Sequence, residues 1–143
     1  CALLALATAF SRILTMLNAP QVLASFLSGI ISSRISFLIL LNIVLLILGM
    51  FIDGAPAILI LSPLLMPIAQ QFRIDPVHLG IIMVCNLAVG LASPPFGLNL
   101  FVASSTNGAP IMEISRKVVP FILAFLVALI LITFVPSISL CLV

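Results

Sequence analysis

The chain has 143 residues, of which 64% are hydrophobic and only 6% charged, and its formal net charge is +2. An ordinary globular chain is about 45–50% apolar and about 25% charged, so a fold in water would expose large apolar surfaces. Five basic residues are too few and too dispersed for a nucleic-acid interface. The composition predicts an all-α integral membrane protein whose surroundings are the lipid bilayer, with no nucleic-acid partner.

Residues 1–34 predict a partial transmembrane helix followed by an interfacial helix. Ala2 to Leu17 is apolar apart from Arg12. The stretch from Asn18 to Arg34 mixes serines with apolar residues at helical spacing, which is typical of a helix lying on a membrane surface. The chain opens on cysteine, and its first ten residues lack the basic region of a signal peptide. We therefore expect it to be a fragment of a longer protein.

Residues 35–70 predict a helical hairpin. Ile35 to Ile52 carries no charge, Ala57 to Ala69 is shorter, and the DGAP sequence between them is a strong turn signal. A re-entrant hairpin with its tip inside the membrane fits this pattern as well as two spans joined by a loop. Asp53 at the turn has two interpretations: an intramembrane acid, which marks an ion pathway, or a helix-end carboxylate in water.

The remaining chain predicts a polar loop at 71–78, a discontinuous transmembrane helix at 79–105, a second polar loop at 106–117 and a C-terminal transmembrane helix at 118–143. His78 is expected to be solvated in the first loop, because no second metal ligand lies at a suitable spacing. Arg116 and Lys117 place the second loop on the cytoplasmic side.

The sequence GLASPPFGLN, Gly90 to Asn99, interrupts an apolar segment at its middle. Two adjacent prolines end a helix and leave preceding carbonyls without intrahelical donors. Unpaired backbone survives at membrane depth only inside protein or beside a polar cavity. In secondary transporters such breaks offer carbonyls to cations and helix N-termini to anionic substrates. The competing interpretation is a kinked span whose freed groups are satisfied by a neighbouring helix.

These two irregular elements predict one shared polar site, since each would otherwise have to satisfy its own backbone in hydrocarbon. We expect the tip of the hairpin to approach the break, where backbone, hydroxyl and carboxylate oxygens would hold a hard cation such as sodium. The residues predicted to provide them are Gly49, Asp53, Gly90, Ala92 and Ser93. No constellation of catalytic residues is recognisable in the sequence, so an enzyme is not expected.

The stretch from Leu48 to Val102 resembles the large membrane subunit of tripartite ATP-independent periplasmic (TRAP) transporters. The likeness is carried by GMFID, SPLLMPI, DPVHLGIIM and GLASPPFGLNLF, in the family's order and close to its spacing, and it continues through VVPFI to the C-terminus. The family usually has threonine where this chain has Ser93, a difference that keeps the hydroxyl group. The resemblance covers most of this chain but only the C-terminal part of a family protein.

The resemblance implies a sodium-driven, elevator-type transporter built from two inverted repeats, of which this chain would hold the second. It implies import of dicarboxylates or sugar acids across a bacterial inner membrane, with a small membrane subunit and a periplasmic binding protein as partners and no organic cofactor. Because the substrate site is shared between the repeats, this chain should not transport alone. Combined with the break, it assigns substrate contacts to Ser93, Pro94, Pro95, Gly97 and Asn99.

Two other functions remain open on the sequence. One is a non-transporting membrane scaffold or interaction subunit whose prolines only shape helix packing. The other is a carboxylate or ion transporter of a related family with similar architecture. Sodium dependence of substrate binding separates the sodium-coupled transporter from the scaffold, because a scaffold predicts none. The residues upstream of Cys1 would distinguish the related family.

Overall fold

A computed structural model of the chain describes residues 2–22, 25 and 33–140, and within these residues every regular element is helical. The longer helices run in the order α1 (Ala2–Met16), α2 (Arg34–Phe51), α3 (Gly54–Gln71), α4 (Pro76–Ala92), α5 (Leu98–Asn107), α6 (Ile111–Phe134) and α7 (Pro136–Leu140). Helices α2, α3 and α6 are long and apolar enough to cross a membrane. This architecture is that of an integral membrane protein, as the composition predicts.

The turn between α2 and α3 follows from a short run of residues that favour helix ends. Ile52 and Asp53 are extended, and a carboxylate oxygen of Asp53 accepts the N–H of Gly54 at 2.8 Å, which caps α3. Pro56 falls in the first turn of α3, where a missing N–H costs no hydrogen bond. Two helices of opposite direction are therefore joined by a turn at the predicted place.

Among the described elements, α2 and α4 form the most extensive helix–helix contact. Helices α2 and α3 touch each other only slightly. The rings of Phe37 and Phe72 stack at 4.8 Å, so the start of α2 lies beside the end of α3. The core between the three helices is apolar and consists of Phe37, Leu38, Leu41, Leu45, Ile68, Ala69, Ile74, Leu79, Ile82 and Met83. The predicted hairpin is thus held together largely through α4.

Both polar connections are shorter than the sequence predicts. The 71–78 loop shrinks to residues 72–75, because Asp75 accepts the N–H of Val77 at 2.8 Å and Pro76 takes the first helical position. The 106–117 loop shrinks to residues 108–110, between the end of α5 and Ile111. Gly108 caps α5 in the left-handed conformation, with φ of 68°. Polar residues in these stretches lie on helix ends, where capping groups extend the helices.

The two ends of the chain also differ in detail from the prediction. The C-terminal helix begins at Ile111 and ends at Phe134, and α7 follows because Pro136 cannot continue the hydrogen-bond ladder. At the N-terminus, α1 packs on α3 with Arg12 exposed. Residues 19–22 and 25 are helical, while most of the predicted interfacial helix lies outside the described residues.

Candidate functional site

The helix break lies inside the range that the sequence predicts. Helix α4 ends at Ala92, Ser93 is extended, and α5 begins only at Leu98. The peptide bond between Pro94 and Pro95 is cis. Because neither proline has an N–H, the carbonyls four residues earlier lose their usual helical donors. One of them, the carbonyl of Gly90, accepts the N–H of Ser93 instead, at 2.9 Å.

Ser93 is the buried polar centre of this break, with only 3% of its surface exposed. Its hydroxyl donates to the carbonyl of Val89 at 2.7 Å, and its own carbonyl accepts the N–H of Gly97 at 2.9 Å. A serine hydroxyl has one hydrogen and two lone pairs. After this donation, the oxygen of Ser93 still has lone pairs that could contact a cation.

Gly97 allows the backbone to fold closely back on itself after the prolines. A Cβ atom at this position would lie 2.6 Å from the carbonyl oxygen of Leu91 and 2.7 Å from that of Ser93. Both distances are shorter than any ordinary carbon–oxygen contact, so only glycine fits. The carbonyl oxygens of Leu91 and Ser93 therefore lie beside Gly97, immediately before α5 begins at Leu98.

The tip of the α2–α3 pair meets the break through two glycines packed back to back. A Cβ atom at Gly90 would lie 2.7 Å from the backbone of Gly49 and 2.8 Å from the carbonyl oxygen of Leu46. The rings of Phe51 and Phe96 make a second contact, with centroids 5.0 Å apart. The last turn of α2 therefore lies against the end of α4 and the break, and close packing gives the two glycines a role of their own.

The other predicted site residues lie at the rim. Asp53 is exposed and caps α3, which is the helix-end role left open by the sequence, and the described residues give it no hydrogen bond to the break. Pro94 is half-buried, whereas Pro95 and Asn99 are exposed. Ligand contacts of all these residues remain predictions. The structure brings the backbone of Gly49 and Gly90 together at the centre of the site.

Sequence reasoning missed a buried polar cluster, formed by Asn42 of α2, His78 and Asn86 of α4, and Thr133 of α6. The side-chain oxygen of Asn42 accepts from the amide of Asn86 at 2.8 Å and from the hydroxyl of Thr133 at 3.2 Å. Asn86 is fully buried and Thr133 is 1% exposed. Single amides within apolar helices were the available signal, since such groups form hydrogen bonds between membrane helices.

His78 is not solvated, contrary to the prediction from its polar neighbours. It is 1% exposed, and its Nε2 lies 3.2 Å from the carbonyl oxygen of Thr133. Since a carbonyl only accepts, Nε2 carries the hydrogen. The carbonyl of Thr133 lies in the last turn of α6, which ends at Phe134, so no N–H of the same helix can bond to it. It therefore needs a donor from another segment. Starting α4 at Pro76 rotates His78 onto the buried face.

Replacing His78 with leucine is expected to lower the thermal stability of the protein, because the carbonyl of Thr133 then loses the hydrogen bond from His78. The cost of one unsatisfied buried acceptor is about 1–3 kcal/mol. Thermal unfolding of the purified protein in detergent measures it. Val77→Leu changes the exposed neighbour and serves as the control. Equal melting temperatures for His78→Leu and the control would contradict this role of His78.

Comparison of the sequence with known proteins identifies a family and several relatives. The family model described as the DctM component of tripartite ATP-independent periplasmic transporters matches residues 1–138. The C4-dicarboxylate TRAP transporter large permease protein DctM of Pseudomonas aeruginosa is 45% identical over 98% of this chain and 33% of its own length. The isethionate TRAP transporter permease protein DctMQ of Oleidesulfovibrio alaskensis is 43% identical over 95% of this chain and 21% of its own length.

A third relative, the sialic acid TRAP transporter large permease protein SiaM of Vibrio cholerae, is 35% identical over 93% of this chain and 31% of its own length. A multi-pass helical membrane protein with a tip packed on a helix break is the class that the structure defines. The chain belongs to the family of TRAP transporter large permease (DctM) proteins. It spans between a fifth and a third of the length of these relatives.

Proposed function

We propose that this chain is part of the large permease subunit of a sodium-coupled importer of organic acids. The contact between the α2–α3 tip and the α4–α5 break carries the proposal. At Gly49 and Gly90 two backbones meet with no space for a side chain at Gly90, and the carbonyl oxygens of Leu91 and Ser93 lie close together beside Gly97, a few residues further on. Oxygen-rich backbone of this kind, where a broken helix meets a second irregular element, is what transporters use to bind a cation.

The polarity of the break supports binding of both a cation and an anion. The carbonyl end of α4 carries partial negative charge, which favours a cation. The amide end of α5 begins at Leu98 with no side-chain cap on its free N–H groups, an arrangement suited to a carboxylate. Asn99 and Ser93 would add an amide and a hydroxyl to orient the anion. Sodium on one side and the substrate on the other would stabilise the same conformation.

The relatives support the substrate class and the partners. Their names refer to C4-dicarboxylates, isethionate and sialic acid, all of which are organic anions. We infer an anionic substrate delivered by a periplasmic binding protein, and a small membrane subunit as partner, consistent with the combined DctMQ name of one relative. The complete protein would lie in a bacterial inner membrane, with the α2–α3 pair as a re-entrant hairpin of an elevator-type transporter.

Sodium-dependent uptake tests the proposal. The complete transporter that contains this chain is reconstituted in proteoliposomes with excess binding protein, and uptake of a labelled C4-dicarboxylate or sialic acid is measured across a sodium titration at constant ionic strength. Potassium replaces sodium in the control. We expect uptake to require sodium. Uptake of these acids that proceeds equally in potassium would contradict sodium coupling, and no uptake in either salt would favour a scaffold.

Asp53→Asn is expected to raise the sodium concentration for half-maximal uptake, because it removes negative charge beside the site while asparagine still caps α3. Asp53→Ser is the matched variant, since serine is also a good N-cap and lacks the charge. Both variants should shift alike if charge is what matters. A half-saturating concentration unchanged in both would restrict Asp53 to capping.

A further inference from the structure

We propose that Asn42, Asn86 and Thr133 form a polar clasp that positions Gly49 against Gly90. They would act as positioning residues for the proposed sodium site, so the inference rests on the proposed function. The three side chains come from three helices, α2, α4 and α6. Asn42 lies at the centre and accepts two hydrogen bonds through a single oxygen.

The clasp and the glycine contact lie on the same interface, between α2 and α4. Asn86 precedes Gly90 by four residues on α4, and Asn42 precedes Gly49 by seven on α2, so each amide shares a helix face with its glycine. The contacts between Asn42 and Asn86 and between Gly49 and Gly90 therefore follow one line along two parallel helices. A shift of α2 along α4 would disturb both contacts together.

Each amide is also fixed by its own helix. Asn42 donates to the carbonyl of Leu38 at 2.6 Å, and Asn86 donates to that of Ile82 at 2.8 Å. With both hydrogens of its nitrogen in use, Asn86 points its amide in one direction only. The amides are thus held in register with the helix backbones, which is how a side-chain bond can set the position of a helix.

The glycine contact itself rests on close packing of two backbones, which is a van der Waals contact and not a directional bond. A binding site requires its ligands within about 0.5 Å of the productive geometry. Directional hydrogen bonds one to two helical turns away would supply this accuracy. Thr133 extends the same clasp to α6, whose end is bound by His78.

The first experiment measures the sodium dependence of uptake by the complete transporter with Asn42→Leu, Asn86→Leu or Thr133→Val. We expect the half-saturating sodium concentration to rise about three- to tenfold, the range expected for side-chain hydrogen bonds between membrane helices. The double variant Asn42→Leu/Asn86→Leu should shift less than the sum of the two, because two apolar groups of similar shape leave no unpaired amide. Thr106→Val is the control, since its hydroxyl bonds only to its own exposed helix.

If the role of the clasp were purely structural, the variants would yield less folded protein with a lower melting temperature. The molecules that do fold would keep the half-saturating sodium concentration of the wild type. That outcome would overturn the inference. Thr133→Val, the mildest change, keeps the test open if the leucine variants do not fold. If the wild-type transporter shows no sodium dependence, the proposed function fails, and the second experiment still decides whether the clasp positions the tip.

The second experiment measures the distance between the tip and the break without relying on transport. Spin labels at Ile52→Cys and Leu98→Cys, both exposed positions, report their separation by pulsed electron paramagnetic resonance in a background with the other cysteines replaced. Thr133→Val and Asn86→Leu should broaden or shift the distance distribution, and Thr106→Val should not. Identical distributions in all variants would show that the clasp does not position the tip.

Discussion

Replacing Gly90 with alanine is expected to reduce uptake by the complete transporter about tenfold or more. The new methyl group would lie 2.7 Å from the backbone of Gly49 and 2.8 Å from the carbonyl oxygen of Leu46, and neither backbone can rotate away as a side chain would. Helix α2 must therefore move, at a cost of about 1–3 kcal/mol, the usual penalty for overpacking. A tenfold change corresponds to about 1.4 kcal/mol at a site that depends on this contact.

The matched control is Gly80→Ala, which makes the same substitution in the same helix. No atom lies within 4 Å of a Cβ at Gly80, and this residue is exposed. Alanine favours a helix over glycine by about 1 kcal/mol, so this variant should be as active as the wild type and at least as stable. Initial rates of uptake, normalised to folded protein, measure both variants. Equal losses of activity in both would contradict a specific role for the contact between Gly49 and Gly90.

Replacing Ser93 with alanine should produce the largest shift in sodium affinity among the conservative variants. Ser93 is only 3% exposed and lies at the end of α4 beside the break, so under the proposed function losing its hydroxyl would remove a cation ligand and little volume. It would also leave the carbonyl of Val89 without its donor, because the N–H of Ser93 bonds to Gly90 instead. We expect the half-saturating sodium concentration to rise about tenfold, equivalent to about 1.4 kcal/mol.

Ser93→Thr separates the hydroxyl from the rest of the residue. Threonine keeps the oxygen and its donation to Val89 and adds one methyl group, so its sodium dependence should stay close to that of the wild type. A sodium titration of uptake into proteoliposomes compares the two variants, and melting temperatures in detergent control for folding. A lower melting temperature with unchanged sodium affinity in Ser93→Ala would restrict the hydroxyl to capping the end of α4.

The sequence alone predicted the class of protein and the position of its irregular elements. Apolar composition over helical lengths indicates membrane helices because the bilayer admits little else. The turn at Asp53 and the break between Gly90 and Gly97 were predicted within a few residues, since proline and glycine restrict the backbone locally. Such restrictions act within one or two turns and need no knowledge of neighbouring helices.

Helix ends at the polar connections were predicted less well. The charged residues Glu113, Arg116 and Lys117 predict a loop at residues 111–117, yet these residues form the first turns of α6, where Lys117 donates to Glu113 at 2.8 Å. Charge indicates contact with water, and an exposed helix end meets that requirement as well as a loop does. The capping residues set these helix ends: Asp75 fixes where α4 begins, and Gly108 fixes where α5 ends.

Only the tertiary structure decided which residues meet. The sequence predicts Gly49 and Gly90 as cation ligands from their position near irregular backbone. The structure shows in addition that a Cβ atom would lie 2.7 Å from backbone atoms at Gly90 and 3.0 Å from them at Gly49. Asn42, Asn86 and Thr133 are separated by 44 and 91 residues along the chain, measured from Asn42, and became a cluster only through packing. His78 was misread for the same reason, because burial depends on which helix covers a residue. Local sequence sets backbone geometry, whereas contacts between distant segments depend on the packing of whole helices.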